Sequence, residues 1–311
     1  MTKKSVIFPG QGSQSKNMGK DFFEKFDVAK KMFENAKKAS IYSKDYAKLC
    51  FEGSEEELQM TINTQPAIYL VSSVIFEILK SNCSFSPEIS AGHSLGEYGA
   101  LFAAGVFSFE EGLILLENRA KFMDECAKKS NGTMAAVMGV DENKLLEYFN
   151  EAGGIIGTAG YNSPGQIVIS GETVSVKKVI ELVKLSGSGK CIELKVSGAW
   201  HSDLMKNAQD KLATELNKFV FNQPKFPVIS NLTAKPHNQD PGSIKSSLIN
   251  QLCSPVRWIQ SVEFMINEFN ISEFVESGSG KVLTGLIKRI NSNVRLININ
   301  SVDTLSEYLN K

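Results

Sequence analysis

The chain has little histidine, cysteine or tryptophan, no excess of either charge and no long apolar run. Its five cysteines, Cys50, Cys83, Cys126, Cys191 and Cys253, are scattered, odd in number and without a CxxC pair. That spacing gives no sign of a disulfide framework or a zinc site, and reduced thiols in a cytoplasmic compartment are the simplest expectation. Lys+Arg and Asp+Glu both number 34, so the formal net charge is zero. Such a balance argues against a nucleic-acid binder, which carries a basic excess. No apolar run reaches the roughly 18 to 20 residues that span a bilayer. Met1 to Ser5 leads directly into Val6-Ile7-Phe8 without a leader-like pattern, so neither export nor membrane insertion is expected. Histidine is the informative scarcity. With only His93, His201 and His237, imidazole chemistry has three candidates.

What is present is ordinary globular material, 42% apolar and 22% charged over 311 residues, enough for one large domain with an insertion or for two domains. Ser5 to Phe8 reads as a buried strand, and Asp21 to Ala39 has helical spacing with Phe22, Phe26, Ala29 and Phe33 on one stripe. Gln65 to Leu79 reads as a largely buried helix. Glu88 to Gly92 forms a short approach to a helix over Leu95 to Ala104, and another helix begins near Phe109. After Ser130-Asn131-Gly132 the texture changes. Strands at 133–140, 155–161, 166–171 and 190–196 alternate with helices at 142–151 and 174–186. Strand, helix, strand, strand, helix, strand is the order of a ferredoxin-like unit. The expected fold is therefore α/β, with residues 132–197 as a small domain inserted into a larger one formed by residues 1–131 and 198–311.

Gly92-His93-Ser94-Leu95-Gly96 fits the GxSxG elbow, a sharp strand-to-helix turn that lifts a serine hydroxyl clear of the sheet. This makes the larger domain α/β-hydrolase-like. The following helix turns its positive end toward the serine, and the Leu95 N–H is positioned to donate to an oxyanion. Of the three histidines, His93 adjoins the serine on the turn and should point elsewhere. His237 lies in the polar Lys235-Pro236-His237-Asn238 stretch and reads as a solvated surface residue. His201 follows the small residues Ser197-Gly198-Ala199 and Trp200, and is the strongest candidate base. Two other patterns fail. Ser277-Gly278-Ser279-Gly280-Lys281 lacks the first glycine and the Ser/Thr of a phosphate loop, and Gly10-Gln11-Gly12 lacks the third glycine of a dinucleotide fingerprint.

Five blocks in order, Gly10 to Gln14, Gly92 to Tyr98, Tyr161 to Gln166, Gly198 to Ser202 and Gly280 to Leu286, resemble the malonyl-CoA:acyl carrier protein transacylase family along nearly the whole chain. The resemblance implies Ser94 as nucleophile and His201 as general base, its imidazole oriented by the main-chain carbonyl of Gln251 in place of a carboxylate. It implies an oxyanion hole from the N–H groups of Gln11 and Leu95. Arg119 matches the family's substrate-binding arginine, whose planar fork suits the free carboxylate of a malonyl group. Gln65 and Asn162 are expected along the cleft.

Trp200 stands where the family usually has Phe, and its bulk should favour malonyl over branched extender units. Asp124 stands where Gln is common. The partners implied are malonyl-CoA and an acidic acyl carrier protein, with Lys281, Lys288 and Arg289 as candidate contacts. The resemblance further implies a monomer with no metal and no bound cofactor, the coenzyme A and phosphopantetheine thioesters being substrates. A chain without flanking synthase domains points to fatty acid synthesis. The alternatives are a discrete polyketide-type acyltransferase, a serine thioesterase or hydrolase, and a non-catalytic docking subunit.

Overall fold

In the computed structural model, which describes residues 2–83 and 85–310, the described strands gather into two four-stranded sheets. In chain order they are β1 (Lys4–Phe8), β2 (Ile89–Gly92), β3 (Gly132–Met138), β4 (Ile156–Ser163), β5 (Gln166–Glu172), β6 (Lys190–Glu193), β7 (Glu273–Ser277) and β8 (Arg295–Ile299). The first sheet runs β2-β1-β7-β8 with every pair parallel. Parallel strands are covered on both faces and so read as short unbroken buried runs. All of β2 and β7 is buried, as is β1 from Ser5 onward.

One cover is the helix Thr61–Cys83, which is buried along most of its length and packs against the helix Phe109–Lys129. By length and composition it is apolar enough to cross a membrane, but 83% of its most hydrophobic window is buried inside the protein. It is the core helix that the run Gln65 to Leu79 announces.

The second sheet runs β4-β5-β3-β6, all antiparallel. Its period-two alternation divides it cleanly. Ala135, Val137 and Ile169 point into a local core with Leu145, Val176, Val179 and Val183 from two helices, Glu142–Ala152 and Thr173–Ser186. Met134 and Val168 face the other way and belong to the main core. The helix-free face of this sheet thus turns into the main core. It is fastened there by backbone bonds on both sides of Val256, from Tyr161 N–H to Val256 O at 2.9 Å and from Val256 N–H to Ala159 O at 2.9 Å.

Two details depart from the sequence pattern, and a third agrees with it. The expected helix Asp21 to Ala39 is two helices, Lys20–Lys25 and Asp27–Ala39, because Phe26 between them is extended; the bend lets Phe26 stack on Phe22 at 6.2 Å between ring centroids. The last small-sheet strand ends at Glu193, although the Leu194 N–H still bonds Met134 O at 2.9 Å. The turn resembling a phosphate loop already holds an anion: the buried Glu276 carboxylate accepts the N–H groups of Leu283 and Thr284 at 3.0 and 2.8 Å. These open the helix Val282–Ile290, so its positive end is satisfied from within the chain.

Candidate active site

β2 ends at Gly92 and the helix Gly96–Ala103 starts four residues later. Neither flanking glycine tolerates a side chain. A Cβ on Gly92 would stand 2.0 Å from the Gly96 carbonyl carbon, and one on Gly96 would stand 2.1 Å from Phe8 O. Between them Ser94 has φ 53°, a left-handed conformation that costs a non-glycine residue roughly 1–2 kcal/mol. Asn231 offsets that strain. Its Oδ1 accepts the Ser94 N–H at 2.7 Å and its Nδ2 donates to Gly92 O at 2.7 Å.

His201 arrives from the other side, also with a positive φ, 60°, in a turn closed by the Ser202 hydroxyl donating to Ala199 O at 2.7 Å. Its Nε2 is 2.8 Å from Ser94 Oγ. Its Nδ1 faces two carbonyl oxygens, Gln251 O at 2.9 Å and Ser254 O at 3.1 Å. Carbonyls only accept, so Nδ1 carries the hydrogen and Nε2 is the lone-pair nitrogen turned to the serine. Burial, and then the nearby Arg119 cation, push the imidazole down to about 3. The ring is therefore neutral and ready to accept a proton. The expected orienting carbonyl of Gln251 is in place, and Ser254 adds a second.

Arg119 is 1% exposed, on the helix Phe109–Lys129. Among the described residues its hydrogen-bond partners are all neutral: Gln65 Oε1 at 2.5 Å from Nη1, and Gln251 Oε1 and Ser94 Oγ at 3.0 and 3.1 Å from Nη2. The Tyr98 ring lies 5.8 Å from its guanidinium carbon, and Nε has no partner. Burial pulls the guanidinium below its ordinary range. The Glu97 carboxylate acts on it from a distance, but among the described residues none pairs with it directly; a buried cation so held is expensive, and it stands against the serine hydroxyl. An anionic ligand would relieve it.

These groups share one cavity of about 150 Å³. Gln11 and Leu95 line it with Ser94, as do the polar side chains of Gln65 and Asn162. Met123, Met134, Val168, Leu194, Val196 and Trp200 form the apolar wall. The N–H groups of Gln11 and Leu95 have no acceptor among the described residues. His93 does point away from the serine, to Asn162 Oδ1 at 2.9 Å.

The solvated reading of His237 is wrong. Its side chain is fully buried, with Nε2 2.7 Å from Glu97 Oε1. The chain doubles back there, with Pro236 bridged antiparallel to Ile229 and the His237 N–H bonded to Val228 O at 2.8 Å, and that return carries the ring inward. Asp124 pairs with Lys128 one helical turn on, at 2.7 Å. Lys281, Lys288 and Arg289 are exposed, and Arg289 reaches Gln166 Oε1 of the second sheet at 3.1 Å. Asn231, the Glu97 carboxylate and the side chain of Gln251 carry no sequence signal of their own.

Residues 6–284 match the family model described as an acyl transferase domain. The chain is 40% identical over 308 residues to the malonyl CoA-acyl carrier protein transacylase of Bacillus subtilis (strain 168), covering 98% of this chain and 96% of that one. The crystal structure of the enzyme of that name from Clostridium perfringens ATCC 13124 superposes with a TM-score of 0.93 at 38% identity, over 99% of this chain and 96% of the other. A malonyl-transacylase solved in complex with its type II PKS acyl-carrier protein superposes with a TM-score of 0.94 at 37% identity, over 99% of both chains. The chain belongs to the acyl transferase domain family.

Proposed function

We propose that this acyltransferase moves the malonyl group of malonyl-CoA to the phosphopantetheine thiol of an acyl carrier protein, supplying the extender unit for fatty acid synthesis. The observation that carries this reading is the buried, unpaired Arg119 cation 3.1 Å from a serine that a neutral imidazole can deprotonate. The names of the relatives agree with it.

In this reading His201 Nε2 takes the Ser94 proton as Oγ attacks the malonyl thioester carbon. The Gln11 and Leu95 N–H groups hold the resulting oxyanion, each such donor contributing about 3–4 kcal/mol to the barrier reduction. The C–S bond breaks, the coenzyme A thiolate takes the proton from His201, and malonyl-Ser94 remains. The carrier thiol then runs the same steps in reverse, giving its proton to His201 and returning Ser94 to its hydroxyl form. Arg119 grips the malonate carboxylate throughout, helped by Gln65, while Asn162 and Trp200 shape the remaining wall. The exchange of one thioester for another through an ester draws on no metal and no resident cofactor.

The pH profile tests the base. With an imidazole pushed down to about 3, the rate of single-turnover acylation by malonyl-CoA should be nearly flat from about pH 5 to pH 8. An ordinary imidazole would lose the reactive neutral form about tenfold per unit below roughly 6.5. An acid limb with its midpoint between 6 and 7 would contradict the lowered value of the imidazole while leaving His201 as the base.

The wall tests the substrate. Trp200 is 5% exposed and lines the cavity, so Trp200→Ala should raise methylmalonyl-CoA turnover relative to malonyl-CoA by about tenfold, a methyl-sized gain in a hydrophobic pocket. Equal turnover of the two substrates by the wild type would remove the role given to Trp200.

The carrier protein would meet the exposed Lys281, Lys288 and Arg289. Reversing all three to Glu is expected to lower kcat/KM for the carrier about tenfold at low salt and less at high salt, leaving acylation by malonyl-CoA intact. Unchanged carrier kinetics would move the docking surface elsewhere.

We read residues 132–197 as a ferredoxin-like unit inserted into an α/β-hydrolase-like domain formed by residues 1–131 and 198–311. The strand order β4-β5-β3-β6 and the helix-strand sequence support the first part. The parallel sheet with its serine elbow supports the second. A monomer in the cytoplasm is the matching expectation.

A further inference from the structure

Behind the cavity lies a buried polar network that the reaction steps above leave unused. Its centre is Gln251, whose side-chain amide has a fixed polarity. The Nε2 end faces three acceptors: Ser94 O at 3.0 Å, Glu97 Oε2 at 2.7 Å and, more distantly, Asn231 Oδ1 at 3.3 Å. The Oε1 end faces one donor, Arg119 Nη2 at 3.0 Å. Rotating the amide by half a turn would set NH₂ against guanidinium and oxygen against oxygen. Glu97 is the strongest of the three acceptors, since hydrogen bonds to a carboxylate exceed neutral ones. It is itself held on both oxygens, by the Asn231 N–H at 3.0 Å on Oε2 and by His237 Nε2 at 2.7 Å on Oε1. Glu97, Gln251 and the His237 side chain are almost completely buried, so water offers no substitute partner.

We propose that Glu97 is the positioning residue for Arg119: its carboxylate, clamped by His237, fixes the Gln251 amide so that the guanidinium is held toward the substrate's carboxylate. This deepens the proposed function and rests on it. Glu97 selects the anionic acyl group without touching it, through one intervening amide. The same carboxylate, by bonding the Asn231 N–H, also braces the serine elbow. The two roles separate by substrate. A brace on the elbow serves every acyl group alike, whereas a fixed Arg119 serves only an acyl group that carries a negative charge.

The test is single-turnover acylation of wild type, Glu97→Gln, Arg119→Ala and the double variant, read by intact mass with malonyl-CoA and with acetyl-CoA. Glu97→Gln should lower malonyl kcat/KM about 10- to 100-fold, mainly through KM, as loss of a supporting partner does elsewhere. Acetyl transfer, which reports the elbow brace alone, should fall several-fold less than malonyl transfer, and in the Arg119→Ala background Glu97→Gln should add no more than it takes from acetyl transfer. An equal fall for both acyl groups would overturn the proposal in favour of the elbow alone, as would full additivity with Arg119→Ala. If Glu97→Gln does not fold, His237→Asn decides. It keeps the carboxylate and removes its outer clamp, so the malonyl-to-acetyl ratio should fall in the same direction, and an unchanged ratio overturns the proposal. Wild type that takes up no malonyl group would instead overturn the functional reading beneath it.

Discussion

Ser94→Ala is expected to form no acyl-enzyme with malonyl-CoA, and its transfer rate should fall by at least about 10⁴-fold, the usual consequence of removing the nucleophile from a serine–histidine pair. The variant should fold normally. Alanine meets the same left-handed backbone that serine already tolerates, and the Asn231 bonds that hold the turn are made to the main chain. Thermal unfolding within a degree or two of wild type, together with the absent adduct, would tie the loss to Oγ. Intact mass after brief mixing is the decisive reading. An adduct persisting in Ser94→Ala would place the covalent step elsewhere. No adduct on wild type with any acyl-CoA would end the transferase reading and leave a docking subunit as the alternative. An adduct that decays within seconds without carrier protein would identify a hydrolase.

Arg119→Ala should separate recognition from chemistry. Of the five N–H donors of a guanidinium, Gln65, Gln251 and Ser94 occupy three, and the Nε donor stands free. A malonate carboxylate can use what remains, whereas an acetyl group leaves a buried cation uncompensated. Removing one member of a buried charge pair costs about 2–5 kcal/mol, so kcat/KM for malonyl-CoA should fall by roughly 30- to 4,000-fold. Acetyl-CoA should be accepted as well as before or better, because the uncompensated cation that discriminates against it is gone. Selectivity would thus collapse from both sides. Parallel losses for malonyl and acetyl would mean that Arg119 acts on the Ser94 hydroxyl, 3.1 Å away, and contributes little to choosing the acyl group.

The elements that were legible in the chain are those that local chemistry dictates. The elbow could be read because a turn this tight needs small residues at fixed spacing, and the small sheet because short strand-like runs and two helical stretches follow one another in ferredoxin-like order. His201 could be picked from three histidines by its small neighbours, and the structure brings it to Ser94. The roles proposed for Gln11, Gln65, Asn162 and Arg119 rest on resemblance; a lone arginine in a helix, for one, carries no mark of burial. His237 was misread for the complementary reason. Lys235, Pro236 and Asn238 are polar, but burial depends on what the turn packs against, and here that is Glu97. Asn231 and the Gln251 amide stayed invisible because each acts across more than a hundred residues of chain, on Gly92, Ser94 and Arg119. The break at Phe26 was missed because an aromatic stripe can be kept by bending a helix as well as by continuing it.

The two glycines flanking the serine also bear on how this chain can change over generations. Neither is kept by a demand for flexibility; each is kept because backbone already occupies the space of the missing methyl group. Drift at either site has no small first step, since even alanine would have to displace a carbonyl of the turn or of β1. Compensation by a second substitution is closed off as well, because the obstructing atoms belong to main chain and cannot be mutated away. A lineage that retains this turn therefore retains both glycines while the surrounding helices and loops diverge. That makes the pair an anchor for aligning distant descendants of the fold, including any that have lost the serine between them.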